Sequence, residues 1–178
     1  MMKKILLILL LVPSLSRGQD KITDFICNYW AIAKQVGDSV GLHPQIILTQ
    51  AAIESSWGTR VKNNNFFGVK SSRGAGALCK TVEYHDTTTV RYPHIFSITE
   101  TKKGYRYVVL DWFKCYDSVE QSFYDYTVVV MRHGKSYCQP YKFYREINRY
   151  ATDPQYYKLC VKVHKIIERE RVNLCLTY

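Results

Sequence analysis

The chain has 178 residues, with 25 Lys and Arg against 15 Asp and Glu, which gives a net charge of +10. This length suits one domain and is enough to bury a sizeable core. The positive charge favours an anionic partner, although the same lysines could simply keep the surface solvated. The chain has no arginine-rich arm and no nucleic-acid-binding motif, so we expect no nucleic acid partner.

The N-terminus has the pattern of a secretory signal peptide. Lys3 and Lys4 precede an apolar run from Ile5 to Val12, and a segment rich in Pro and Ser follows. The run is too short to cross a bilayer, which takes about 20 residues in a helix. We therefore predict a signal peptide at residues 1–18 and a mature domain at 19–178. The protein should be secreted or periplasmic, without an integral membrane segment after cleavage.

Six cysteines follow the predicted signal: Cys27, Cys79, Cys115, Cys138, Cys160 and Cys175. Export would bring them to a compartment where disulfides form, but six cysteines allow fifteen pairings, so no connectivity is predicted. No CxxC or HExxH motif is present, and we expect no metal site. Cys160 falls on an apolar helical stripe and is predicted to be a buried small hydrophobe.

The first part of the mature chain predicts two helices. Apolar residues recur at helical spacing from Asp20 to about Val36, and this helix is expected to end near Gly37. A second helix is predicted from Pro44, whose fixed φ suits the first helical position, to Gly58. Glu54 would lie at the edge of its buried face.

The middle of the chain predicts a loop and a small sheet, and the rest predicts helices. Residues 59–76 are rich in Asn, Gly and Ser, whereas TVEYHDTTTVRY and GYRYVVLDWFKC are dense in β-branched and aromatic residues typical of strands. Apolar residues occupy both alternation phases, so the packed face of the sheet stays open. Asp117 and Glu120 match a capping box, Pro140 opens a short helix, and Asp153-Pro154 opens the last one. The fold class predicted is α+β, mainly α.

Four segments follow one another along the chain in this order: AIESSWG, NNFFGVKSS, ITETKKGYRYVVLDWFKCYDSVEQSFYDY and RYATDPQYYKLC. They resemble the successive motifs of bacterial family 73 glycoside hydrolases, the endo-β-N-acetylglucosaminidases of peptidoglycan. The resemblance covers about residues 40–170. It implies a lysozyme-like two-lobed fold, in which a helical body and a small β-hairpin lobe flank a cleft.

The resemblance implies a catalytic role for Glu54, because the glutamate of the AIESSWG motif is the general acid of that family. A carboxyl group beside Trp57 in a partly apolar cleft should also have a raised pKa, which keeps it protonated near neutral pH. The alternative is a purely structural role, in which the carboxylate caps the helix or pairs with Arg60. Tyr150, in the Tyr-Ala-Thr-Asp-Pro motif, maps to a tyrosine that reaches the active site in the family.

The second catalytic carboxylate maps to Glu100 in ITETKKG. Glu83 in TVEYH is a rival, because the chain has extra residues before Ile98 compared with the family pattern. The distance between the two carboxyl groups separates a retaining from an inverting route, and a third route uses the acetamido group of the substrate. The sequence leaves the route open.

The resemblance also implies a set of substrate-binding residues, in which amides bond sugar hydroxyls and aromatic rings stack on pyranose rings. They are Trp57, Asn64, Asn65, Phe66, Phe67, Gly68 and Tyr116.

The function expected from these residues is hydrolysis of the β-1,4 bond between N-acetylglucosamine and N-acetylmuramic acid in peptidoglycan glycan strands, by a monomer without a cofactor. A muramidase or lytic transglycosylase also uses a helical Glu-Ser pair, but typically follows it with Gly-Leu-Met-Gln, where this chain has NNFFGVK. A wall-binding module that has lost its chemistry is the non-enzymatic alternative.

Overall fold

The computed structural model of the protein describes residues 13–102, 104–148 and 155–176. In these ranges the elements are α1 (Pro13–Val40), α2 (Pro44–Glu54), β1 (Ala77–His85), β2 (His94–Thr101), β3 (Gly104–Phe113), α3 (Val119–Val130), α4 (Pro140–Ile147) and α5 (Tyr156–Leu176). Residues 1–12 of the predicted signal peptide lie outside the described part, and so does Asp153-Pro154, the predicted start of the last helix. Both therefore stay predictions.

Helix α1 ends later than the sequence predicts. It runs to Val40 instead of ending near Gly37, and Gly41, with a φ of 73°, follows its last residue. Glycine adopts this left-handed conformation without steric cost, so Gly41 stops the helix. Gly37 instead allows the backbone at Leu42 to approach the helix closely, because a Cβ atom at position 37 would lie 2.5 Å from the carbonyl oxygen of Leu42.

Helix α2 is the buried centre of the helical body. It begins at Pro44 as predicted, and the Nδ1 atom of His43 accepts a hydrogen bond from the backbone N–H of Gln45 at 3.2 Å. All residues from Gln45 to Ala52 are buried. A helix that is apolar or buried on every side must be surrounded by other elements, and α1, α3 and α5 pack around it.

The cap of α3 lies one residue later than predicted. The hydroxyl oxygen of Ser118 accepts from the backbone N–H of Gln121, and the side-chain oxygen of Gln121 accepts from the backbone N–H of Asp117. Ser118 is therefore the N-cap, and the pairing of Asp117 with Glu120 as a capping box is wrong. Sequence spacing could not separate two overlapping capping patterns.

The sheet is antiparallel with the order β1-β3-β2. The register places Glu83 opposite Tyr107 and Thr81 opposite Val109, and both Tyr107 and Val109 are fully buried. These residues therefore mark the packed face, which the sequence left open. The other face exposes apolar side chains, namely Leu78, Val82, Tyr84 and Phe96.

Strand prediction was partly correct in this region. TVEYHDTTTVRY combines the end of β1 with a loop at residues 86–93, so its prediction as one strand is wrong. In that loop the carbonyl of Thr87 accepts a hydrogen bond from the Tyr107 hydroxyl at 3.0 Å, and the hydroxyl of Tyr92 forms a hydrogen bond with the Nε2 atom of His85. The loop thus covers the packed face of the sheet instead of extending it.

Aromatic rings join the loop after α2 to the helical body. Phe66 contacts Tyr29 edge-on at 4.8 Å and Phe123 at 5.3 Å between ring centroids. Such pairs add to the stability gained from burial. They fix the start of the loop against α1 and α3.

The cysteines whose side chains the structure describes are free thiols, and Cys160 is fully buried, as predicted. Burial raises the pKa of Cys160 to about 12, so its thiol stays neutral. The side chain of Cys175 lies outside the described part.

The fold is α+β and mainly α, as the sequence predicts, with the helices gathered in one body and the strands in a separate small sheet. None of the described helices combines the length and the apolar character that a membrane span requires. No three His, Cys, Asp or Glu side chains in the described ranges are grouped so as to hold a metal ion.

Candidate active site

Glu54 is the last residue of α2, because the chain turns sharply just after it. The hydroxyl of Ser55 donates to the carbonyl of Ala51 at 2.5 Å and accepts from the backbone N–H of Gly58 at 2.8 Å. Ser56 and Trp57 have φ values of 54° and 58°, in the left-handed region. The predicted continuation to Gly58 is therefore wrong, and the turn places Glu54 at an open helix end.

A network of hydrogen bonds connects Glu54 to the interior of the helical body. The hydroxyl of Tyr156 lies 3.0 Å from the Oε1 atom of Glu54 and 2.5 Å from the Oε1 atom of Gln50. The hydroxyl of Tyr126 donates to the same Gln50 oxygen at 3.0 Å, and the Nε2 atom of Gln50 donates to the sulfur of Cys160 at 3.3 Å. Three helices, α2, α3 and α5, thus meet at one amide.

The hydroxyl of Tyr156 can donate to either of two acceptors. A tyrosine hydroxyl has one hydrogen, and that of Tyr156 lies within hydrogen-bond distance of the Oε1 atoms of both Gln50 and Glu54. When Glu54 is ionised, its carboxylate competes with Gln50 for this hydrogen.

The surroundings of Glu54 raise its pKa. Burial raises this pKa above its ordinary value of 4.5, and the opposing effect of a hydrogen bond from Tyr156 is smaller. Burial also raises the pKa values of Tyr126 and Tyr156 well above 10, so both phenols remain neutral donors. Glu54 itself stays exposed, so a substrate can reach its carboxyl group.

The predicted aromatic binding residues divide between core and site. Phe66 is fully buried, and Trp57 packs edge-on against Phe25 with 5.6 Å between the ring centroids. Phe67 stacks flat on the ring of Tyr126 at 3.9 Å and thereby contacts the network below Glu54. Phe67 therefore packs on the network that supports Glu54, whereas Phe66 and Trp57 pack against other aromatic rings.

The amides of Asn64 and Asn65 bond backbone groups. Asn64 donates to the carbonyl of Tyr116 at 2.9 Å, and Asn65 donates to the carbonyls of Val69 and Lys114 while its oxygen accepts from the N–H of Val69. These bonds hold the loop, with the exposed Gly68 inside it, against the segment after β3. Both asparagines therefore shape the wall of the site.

Tyr116 belongs to a polar cluster on the same segment. Its hydroxyl donates to the Oδ2 atom of Asp125 at 2.6 Å, and the ammonium group of Lys114 pairs with that oxygen at 2.8 Å. Burial acts to raise the pKa of Asp125, but the bonds from Lys114 and Tyr116 and the charge of Lys114 outweigh it and lower that pKa. Burial, followed by the bond to Asp125, raises the pKa of Tyr116.

The two candidates for the second carboxylate both lie on the sheet. Glu83 is on β1 and forms an ion pair with Lys70 at 3.1 Å, which Lys70 shares with Asp111 at 2.9 Å. Glu100 lies near the turn between β2 and β3, opposite Tyr105, and is exposed. The carboxylate of Glu83 is thus occupied by a structural ion pair, whereas that of Glu100 is open to solvent.

Tyr150 lies outside the described residues, so its role stays a prediction. The sequence did not indicate Gln50, Tyr126 or Tyr156 as site residues. A signal existed for Gln50, which lies one helical turn before Glu54 on a mostly apolar helix. The two tyrosines fell on apolar stripes, and only tertiary structure brings their hydroxyls to Gln50.

A groove of about 690 Å³ lies between the loop that follows α2 and strand β1. Residues that line it are Thr59, Arg60, Lys62, Asn63, Asn65, Gly68, Cys79, Lys80, Thr81, Val82, Phe113 and Lys114. The backbone N–H of Arg60 donates to the carbonyl of Ser55 at 2.9 Å, which anchors the groove to the end of α2.

A helical body, a small sheet and a glutamate with a raised pKa at an open helix end are the features that the sequence resemblance implies for a lysozyme-like glycosidase. The profile of the glucosaminidase family, described as mannosyl-glycoprotein endo-β-N-acetylglucosaminidase, matches residues 30–170. The chain belongs to this family, as its four motifs predict.

Among curated proteins, the chain is 28% identical over 165 residues to the peptidoglycan hydrolase FlgJ of Pseudomonas aeruginosa, covering 81% of this chain and 37% of that protein. It is also 28% identical over 163 residues to the probable N-acetylmuramidase of Lactococcus lactis subsp. cremoris, covering 81% of this chain and 33% of that protein. The chain thus spans less than half the length of these relatives.

Among solved structures, the chain resembles the glycoside hydrolase domain of Salmonella typhimurium FlgJ, with a TM-score of 0.63 and 22% identity over 88% of this chain and 94% of that one. It also resembles the catalytic domain of the autolysin Auto from Listeria monocytogenes, with a TM-score of 0.63 and 23% identity over 90% of this chain and 98% of that one. Both similarities support the fold.

Proposed function

We propose that the protein is an exported peptidoglycan hydrolase that cleaves the β-1,4 bond between N-acetylglucosamine and N-acetylmuramic acid. The observation that carries this proposal is the carboxyl group of Glu54 at the end of α2, which has a raised pKa and lies 3.0 Å from the hydroxyl of Tyr156. A glycosidase needs such a group, because the departing sugar oxygen must receive a proton as the bond breaks.

In the proposed reaction Glu54 donates its proton to the glycosidic oxygen. As the carboxylate forms, the hydroxyl of Tyr156 can turn from Gln50 to Glu54, since it lies within hydrogen-bond distance of both. The new bond stabilises the charge that develops on Glu54. Gln50 keeps its bond from Tyr126 throughout, so the network changes by one hydrogen position.

Glu100 is the proposed second carboxylate, and Tyr150 is a further proposed site residue. Glu100 is exposed on the hairpin, whereas Glu83 is already paired with Lys70. An exposed carboxylate is free to contact a sugar bound between the sheet and α2, but one held by an ion pair must first give up its partner. The choice between the retaining, inverting and acetamido-assisted routes follows from the stereochemistry of the product.

Peptidoglycan is the proposed substrate because it combines β-1,4-linked amino sugars with negative charge. Without Lys3, Lys4 and Arg17 of the predicted signal peptide, 22 basic residues face 15 acidic ones, a net charge of +7, so an anionic wall polymer would attract the mature chain. The names of its relatives in Pseudomonas aeruginosa and Lactococcus lactis, a peptidoglycan hydrolase and a probable N-acetylmuramidase, support the same polymer.

The first experiment compares the wild-type protein with Glu54→Gln in digests of purified peptidoglycan, followed by borohydride reduction and mass spectrometry of the new sugar ends. We expect reduced N-acetylglucosamine ends from the wild type, and a loss of about 10²–10⁴-fold in rate for the variant. Glutamine keeps the size of the side chain but cannot donate an acidic proton. The circular dichroism spectrum of the variant should match that of the wild type.

A muramidase is the second candidate, since the Lactococcus relatives are called probable N-acetylmuramidases. It predicts reduced muramic acid ends in the same digest, and a lytic transglycosylase predicts anhydromuramic ends. Folded protein that binds the polymer without releasing any fragment would indicate a wall-binding module.

A matched pair of variants tests the second carboxylate. We expect Glu100→Gln to lower the rate by about 10²-fold or more while the melting temperature stays unchanged, because Glu100 is exposed. Glu83→Gln should keep most of the activity and lose about 0.2–1 kcal/mol of stability with its partly exposed ion pair to Lys70. The reverse pattern would assign the role to Glu83.

A further inference from the structure

The groove beside β1 has a strongly basic lining. Arg60, Lys62 and Lys80 are exposed, and Lys114 contributes a fourth positive charge. No carboxylate is among the residues that line it. Grooves lined by one sign of charge concentrate the opposite charge, so this one favours an anionic ligand.

Three of these four cations are available to a ligand. Lys114 is neutralised by Asp125, but Arg60 and Lys62 form no ion pair within the described part of the chain. Lys80 lies over the ring of Phe96 at 4.5 Å from its centroid, a contact that leaves the ammonium group exposed on its other side. A neutral sugar offers no negative charge with which these three cations could pair.

One wall of the groove is the open edge of the sheet. Strand β1 pairs with β3 alone, and four consecutive residues from Cys79 to Val82 line the groove. The unpaired edge of an antiparallel strand presents backbone N–H and C=O groups at every second residue. These groups match the amides of an extended peptide, which add hydrogen bonds along such an edge.

We propose that this groove binds the carboxylate-bearing peptide that peptidoglycan carries on its muramyl residues. The inference rests on the proposed function and names the part of the substrate that occupies this side of the site. The groove begins at Thr59, five residues after Glu54, where Arg60 is bonded to the helix end. A peptide attached to the sugar next to the cleaved bond can therefore lie along β1 while Glu54 contacts the glycosidic oxygen.

The test measures binding by Glu54→Gln, which holds the polymer without cutting it. Its two ligands are soluble uncrosslinked glycan strands that carry their peptides, and strands of the same length freed of peptides by an amidase. We expect the peptide-bearing strands to bind about tenfold more tightly. Adding Arg60→Gln, Lys62→Gln and Lys80→Gln should remove this preference and leave the affinity for bare strands unchanged.

The matched control replaces Lys158, Lys162 and Lys165, which are exposed on α5, by glutamine. It removes the same charge from another surface, so the preference for peptide-bearing strands should persist. Equal affinity of Glu54→Gln for the two ligands would overturn the inference, and so would equal losses in both triple variants. Wild-type cleavage of the bare strands tests the proposed function separately.

Cys79 gives a second readout at the groove itself. Its half-buried thiol lines the groove, whereas the exposed Cys138 precedes α4. Peptide-bearing strands should slow the alkylation of Cys79, measured by mass spectrometry, and leave the rate at Cys138 unchanged. An unaltered rate at Cys79 under saturating peptide-bearing ligand would contradict binding along β1.

Discussion

The hydroxyl of Tyr156 lies 3.0 Å from the carboxyl group of Glu54, although 102 residues separate the two in the sequence. The same hydroxyl lies 2.5 Å from Gln50, an acceptor with no hydrogen to give at that oxygen. Because one hydrogen must serve both contacts, the protonation states of Glu54 and the orientation of Tyr156 are coupled. This coupling gives the site properties that can be measured.

Replacing Tyr156 by phenylalanine should raise the pKa of Glu54. The variant loses the hydroxyl that donates a hydrogen bond to the carboxylate, so the ionised form is less favoured. In the profile of kcat/KM against pH, the basic limb should move to higher pH. The value of kcat on the plateau should fall about three- to tenfold, because the carboxylate that forms during the reaction loses that bond. Tyr157→Phe, which loses a bond from Arg145 instead, should leave the limb in place. A shift to lower pH would mean that Tyr156 accepts from the protonated acid instead.

The raised pKa of Glu54 should also appear in the stability of the protein. Its unfolded-state pKa is near 4.5 and its folded-state pKa is higher, so above pH 4.5 the folded state binds more protons than the unfolded state. Stability therefore falls as the pH rises through that window, and Glu54→Gln lacks this loss. The melting temperature of the variant, relative to the wild type, should increase between pH 4 and neutral pH. A constant difference would mean that the pKa is not raised.

Gln50 should be necessary for the fold as well as for the site. It is 2% exposed and is the shared acceptor of Tyr126 and Tyr156. Gln50→Leu keeps the volume but leaves the buried Tyr126 hydroxyl without this acceptor, which should cost about 1–3 kcal/mol in urea unfolding. Combining it with Tyr126→Phe should recover part of the loss, because the unpaired hydroxyl is gone. Strictly additive losses would show that the two side chains do not interact.

The sequence predicted the helical segments well where caps and periodicity agree. Pro44 and Pro140 begin helices as predicted, and Cys160 is buried. Predictions failed where tertiary contacts decide the boundary. Helix α2 ends at Glu54 because the Ser55 hydroxyl bonds back to α2, and no spacing rule marks Ser55 as a stop.

The sequence predicted the candidate acid, Glu54, but not the side chains that form hydrogen bonds around it. Glu54 was found from its motif, but Tyr126 and Tyr156 lie 76 and 106 residues from Gln50 and looked like core positions. Their rings are indeed packed, and only the hydroxyl at the end of each ring reaches the network. A helical stripe predicts which side chains turn inwards and gives no information about where their polar ends meet.

Asn65 was predicted to bind sugar, and its contacts predict a different result for its removal. Its amide makes three hydrogen bonds to the backbone of Val69 and Lys114, which hold the loop after α2 to the end of β3. Asn65→Ala should therefore lower the free energy of unfolding by about 1–3 kcal/mol, measured in urea. Asn28→Ala, at an exposed position on α1, should change it by less than about 0.5 kcal/mol. If Asn65 acts mainly on substrate, the variant would keep its stability and show a raised KM instead.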